Sequence, residues 1–122
     1  MSAFAAVETL TGRRVWDGIV GRIVEGDRMT LAVIELEPNA VVGRHQHVHE
    51  QLGIILEGSI SFTVGDETAD LRPGDTWRIL GETPHEAVAG PDGAIVVEVF
   101  SPVRDDWREL ERVERPPRWP PA

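Results

Sequence analysis

The sequence predicts an all-β fold of the sandwich or barrel kind, and three features predict it. Turn signals recur at short intervals between Gly12 and Pro102, at Glu25-Gly26-Asp27, Pro38-Asn39, Glu57-Gly58, Gly65-Asp66, Pro73-Gly74-Asp75, Gly81-Glu82 and Gly90-Pro91-Asp92-Gly93. The runs between them are short and rich in Val, Ile, Phe and Trp, residues that fit a pleated, half-buried surface. Helical spacing is confined to one stretch near the C-terminus.

Taken in order, the segment from Val15 to Val24, with Trp16, Ile19, Val20 and Ile23, is apolar enough to cover a strand edge or to cross to a partner sheet, which predicts a homodimer. TLAVIEL (30–36), LGIILEG (52–58), SISFTV (59–64), TWRIL (76–80) and AIVVEVF (94–100) read as strands bounded by the turns. DDWRELERVE, Asp105 to Glu114, has helical spacing that lets Trp107, Leu110 and Val113 share a face, and its leading aspartates favour a helix N-terminus. Pro116 stops it. Residues 1–115 form one domain, and the proline-rich tail 116–122 is an extended or disordered terminus whose Trp119 can dock on a partner chain.

Composition narrows the partners. The 122 residues carry 21 acidic side chains against 12 basic ones, all arginine, for a formal charge of −9, so no basic stripe awaits nucleic acid or anionic lipid. No run reaches the eighteen or more apolar residues of a spanning helix, and the start lacks a secretory pattern, which predicts a soluble, cytoplasmic protein. Cysteine is absent, which excludes disulfides and thiolate metal sites. Any metal must be held by imidazole, amide or carboxylate.

Three of the four histidines fall in HQHVHEQ, residues 45–51. In an extended strand His45, His47, His49 and Gln51 all face one way, a geometry that suits a metal ion.

The stretches GRHQHVHEQLGIILEGSISF (43–62) and LRPGDTWRILGETPHEAV (71–88) resemble the two motifs of the cupin superfamily. The resemblance implies a double-stranded β-helix, the jelly-roll barrel of that family, here followed by the short helical segment. It places the family's metal ligands on His45, His47, Gln51 and His85, with Gly58 and Gly74 at motif glycines. Leu80, Glu82 and Ala89 depart from the pattern at positions that shape a loop. Three imidazoles and one oxygen donor suit one divalent transition ion per chain, Zn, Ni, Fe or Mn, and leave positions open for water or substrate. His49 exceeds the ligand count and is either a further ligand, a partner that orients one, or a surface residue. Gln51 stands where the family commonly has glutamate. A neutral amide leaves the ion more electropositive, better suited to Lewis acidity than to the higher iron oxidation states of dioxygenase chemistry.

VVEVFSPVRDDW (96–107) is similar to the end of the small single-domain cupins typified by the pectin-degradation protein KdgF. That resemblance implies an enzyme that opens or linearises an unsaturated uronate, with roles for Glu98, Phe100 and Arg104, although the group usually has aspartate where Glu98 stands. Single-domain cupins with similar ends include polyketide-cyclase-like proteins, and sensor cupins bind a small molecule without turning it over. Glu98 and Phe100 share one face of their strand. If that face lines the barrel, Glu98 is the proton-transfer residue, Phe100 a pocket wall, and Arg104 the partner of a substrate carboxylate through paired donors.

Overall fold

The computed structural model describes residues 2–122 and contains nine antiparallel strands. These are β1 (Gly12–Trp16), β2 (Ile19–Glu25), β3 (Thr30–Leu36), β4 (Val41–His45), β5 (Glu50–Val64), β6 (Glu67–Leu71), β7 (Thr76–Ile79), β8 (His85–Ser101) and β9 (Arg112–Val113). The order across the sheet is β6-β5-β8-β3-β2-β1-β9, with β4 on β8 and β7 on β5. The all-β expectation holds.

Two expected turns are not turns. Glu57-Gly58 and Gly90-Pro91-Asp92-Gly93 lie inside the long strands β5 and β8, which pair along most of their length. The register slips between Ile55 and Glu57 and again between Gly58 and Ile60, so the paired ribbon bends there and its two halves belong to opposite walls. One wall carries β7, β3, β2 and β1 beside this ribbon, and the other carries β6 and β4. The bend rests on glycine: Gly58 and Gly93 have φ of 81° and 72°, and a Cβ on Gly58 would overlap the Gly93 backbone. Sequence punctuation was therefore right about glycine and wrong about chain reversal.

Alternation sends Ile19, Ile34, Ile55, Ile79, Val96 and Phe100 into one core between the walls. The Val15–Val24 segment forms the β1–β2 hairpin, and β2 covers the edge of β3 in its own chain. The helical segment is one 3-10 turn, Asp105–Glu109, shorter than the spacing suggested. Beyond Leu110 the chain extends, and Arg112 and Val113 pair with Arg13 and Gly12, because ladder bonds to the open edge of β1 replace helical ones.

On the outer face Arg22 and Glu35 form a buried ion pair, 3.5 Å apart. The tail satisfies their remaining polar atoms: Arg22 donates to the Arg115 carbonyl at 2.6 Å, and the Arg118 amide donates to Glu35. The Ala122 amide donates to Glu57 at 2.8 Å, so the proline-rich end lies along the domain. A buried pair left without such partners would be costly.

Candidate metal centre

His45 closes β4 and His85 opens β8, directly opposite in register. His47 reaches them from the bend that follows β4, and Gln51 lies one residue into β5. HQHVHEQ is thus not one strand. Extended pairing stops at His45, and the bend that carries His47 inward turns His49 away from the other rings' meeting point. One ligating nitrogen each of His45, His47 and His85 lies within 4.8 Å of the others.

All three rings are held the same way. Nδ1 of His45, His47 and His85 lies 2.8, 2.9 and 2.8 Å from the carbonyls of Gly43, His49 and Thr83. Each Nδ1 therefore carries the proton and each Nε2 offers a lone pair. The Nε2 of His85, a residue 2% exposed, is buried with no hydrogen-bond partner among the described residues. The Nε2 of His47 faces Oε1 of Gln51 at 3.1 Å, two acceptors pointed at each other. Converging lone pairs are unfavourable unless a proton or a cation lies among them. The donor set fits a divalent transition ion held by His45, His47, His85 and the Gln51 oxygen. Burial lowers the pKa of His47, with the charge of Arg104 adding to it, and burial with the neighbouring rings takes His85 down to about 4. Both rings are neutral at pH 7, the form in which an imidazole can hold a metal ion.

Across the cavity stands Glu98, 7% exposed, on the same inward face as Phe100. Its Oε2 accepts from Trp77 Nε1 at 2.9 Å and from Gln51 Nε2. Trp77, Gly53 and Glu98 lie in one row across β7, β5 and β8, and a Cβ on Gly53 would overlap the Trp77 indole. Glycine between them is what lets the indole reach the carboxylate. Burial raises the Glu98 pKa, and the hydrogen bonds from Trp77 and Gln51 pull against it. A glycine inside an apolar strand was the sequence signal for this close approach. Trp77 itself, alternating with Ile79, read only as core.

Arg104 is 9% exposed and lines the same cavity of about 260 Å³. Its guanidinium lies 4.8 Å from the Phe100 ring centre and 4.2 Å from that of Trp107. One of its two donor pairs is engaged: Nε and Nη2 fork onto Asp106 at 3.1 and 3.0 Å, and the Nη1–Nη2 edge stays open. Nη1 makes no hydrogen bond among the described residues and is not sealed off.

A jelly-roll barrel with inward-facing imidazoles on its strand ends is a cupin. The cupin domain family model matches residues 32–100, over half of the chain, and the chain belongs to that family. Within it the resemblance is to KdgF. The chain is 26% identical over 93 residues to the pectin degradation protein KdgF of Dickeya dadantii (strain 3937), covering 75% of this chain and 84% of that one. The solved KdgF of a Halomonas species superposes with a TM-score of 0.79 at 29% identity, over 87% of this chain and 98% of that one. The polyketide cyclase RemF of Streptomyces resistomycificus shares the fold, with a TM-score of 0.73 at 24% identity over 92% of this chain and 82% of that one.

Proposed function

We propose that this protein is a metal-dependent enzyme that opens an unsaturated uronate to its keto form, with Glu98 moving the proton. The observation that carries the reading is Glu98 itself, a carboxyl buried in a cavity wall and held by the amide of Gln51, whose oxygen faces the His47 imidazole. A site that only held a ligand would gain nothing from a buried carboxyl, which costs stability. The likeness to KdgF in sequence and in fold supports the same reading.

The reaction exchanges no electrons. The ring carbon–oxygen bond of the hemiacetal breaks, its hydroxyl loses a proton and becomes an aldehyde, and the enolate left on the ring oxygen gains that proton on carbon to become a ketone. A divalent ion bound by His45, His47, Gln51 and His85 supplies Lewis acidity toward a sugar oxygen. Glu98 takes and returns the proton at Oε1, since Oε2 is held by Trp77 and Gln51. Its raised pKa brings it nearer neutral pH, where an acid–base group works best. Arg104 binds the substrate carboxylate on its open Nη1–Nη2 edge, while Phe100 and Trp107 exclude water around it.

Purified protein mixed with a 4,5-unsaturated monouronate tests this. Loss of the conjugated-alkene absorbance over many turnovers is expected. A change that stops at one equivalent of protein would replace the enzyme with a binding module.

A further inference from the structure

Arg104 is fixed at more points than a surface arginine needs. The Val103–Arg104 peptide bond is gripped from both sides by buried side chains. His49 Nε2 lies 3.2 Å from the Val103 carbonyl, and the Arg104 amide donates to Thr30 Oγ1 at 2.9 Å. His49 and Thr30 are 8% and 0% exposed. Beyond the main chain, the guanidinium is flanked by Phe100 and Trp107 and forked by Asp106. Three of these five contacts, from His49, Thr30 and Phe100, come from outside the 3-10 turn, so the turn alone does not explain them.

His49 also carries a cost. With its Nε2 proton directed at Val103, its Nδ1 is buried and bonded to nothing among the described residues. A bare buried acceptor disfavours folding, and an apolar side chain would fill the same space without it. Asp106 gives little stability in return for its fork, because its side chain is 52% exposed and water competes for it. What the two residues share is Arg104: one fixes its peptide plane and the other its guanidinium plane. Asp106 takes up Nε and one hydrogen of Nη2, which leaves the Nη1–Nη2 edge open.

We infer that His49 and Asp106 are positioning residues that set Arg104 to receive the substrate carboxylate on the guanidinium edge Asp106 leaves open, Nη1 with the second hydrogen of Nη2. The inference rests on the uronate reading for the ligand's chemistry. It accounts for the third histidine of HQHVHEQ without a place on the metal.

A double-mutant cycle on the metal-loaded protein tests it, with the 4,5-unsaturated monouronate as probe and both KM and Kd measured. Asp106→Ala and His49→Phe are each expected to raise KM and Kd by about tenfold or more with metal content unchanged, and His49→Gln, which keeps a donor, to recover most of the loss. In an Arg104→Ala background neither substitution should weaken binding further. Unchanged KM and Kd in Asp106→Ala, or losses that persist in full without Arg104, overturn the inference. Should His49→Phe not fold, the Asp106 arm and the His49→Gln variant decide alone. Binding that obeys the cycle without wild-type turnover would remove the proposed reaction and keep the positioning role. Turnover with additive losses would do the reverse, and neither binding nor turnover would remove both.

Discussion

Gln51 donates its side-chain amide to Oε2 of Glu98 while its own Oε1 faces His47. The two residues are diagonal neighbours on the inward face of the β5–β8 ladder, since Gln51 pairs with Phe100 and Glu98 with Gly53. The amide therefore serves both sides at once, as an oxygen donor toward the imidazoles and as a proton donor to the buried acid. A glutamate there would do the first and forbid the second.

Gln51→Glu is expected to keep its metal and to lose turnover. A second carboxylate beside Glu98 removes a hydrogen bond and adds like charge, both of which raise the Glu98 pKa further. The acidic limb of the kcat/KM profile should move to higher pH, with turnover at pH 7 down by about tenfold or more. An unshifted limb would separate Gln51 from the acid.

Glu98→Gln keeps the shape and removes the titrating group. Turnover should fall by roughly 10²–10⁴-fold, with metal content unchanged. The folded-state pKa is raised, so the wild type loses stability as pH rises from the ordinary carboxyl value of 4.5 through the folded value. The variant should escape that loss, visible as a Tm at pH 8 no lower than wild type. Retained turnover would clear Glu98 of the chemistry.

Gly53→Ala should destabilise the domain by about 1–3 kcal/mol in denaturant titrations, because the new methyl group meets the Trp77 indole. It should also reduce turnover, since a displaced indole no longer holds Glu98. Trp77→Phe, which lacks the donor, should shift the pH profile in the same direction as Gln51→Glu, with metal content likewise unchanged. A silent Gly53→Ala would mean that the indole has another resting place.

Metal removal makes the fold pH-sensitive. His85 titrates at about 4 when folded and at its ordinary 6.5 when unfolded. Between those values the unfolded chain binds more protons, so the metal-free protein loses stability as pH falls from 6.5 toward 4. Chelated protein should show a Tm that declines over this window more steeply than that of His85→Gln. At pH 7 a chelator should lower the Tm of wild type, and His45→Ala or His85→Ala should purify with little metal by elemental analysis. Full metal content in both would displace the ion from this cluster.

By itself the sequence determined the all-β class, through short Val- and Ile-rich runs between turn residues, and the identity of the groups that converge in the barrel. His45 and His47 were legible from spacing and residue type, His85 through the resemblance to the second cupin motif, and Glu98 because a lone charge in AIVVEVF must face either water or a site. Only the tertiary structure decided what those groups touch. Local pattern could not tell that Gly58 and Gly93 bend two long strands rather than reverse them, because a positive φ serves either purpose until a neighbouring strand continues the ladder. Nor could it place Trp77 on Glu98, Asp106 on the donors of Arg104, or His49 on the Val103 carbonyl. The Trp77 and His49 contacts join residues 21 and 54 positions apart, and they exist only because the β5–β8 ribbon brings distant segments to one cavity wall.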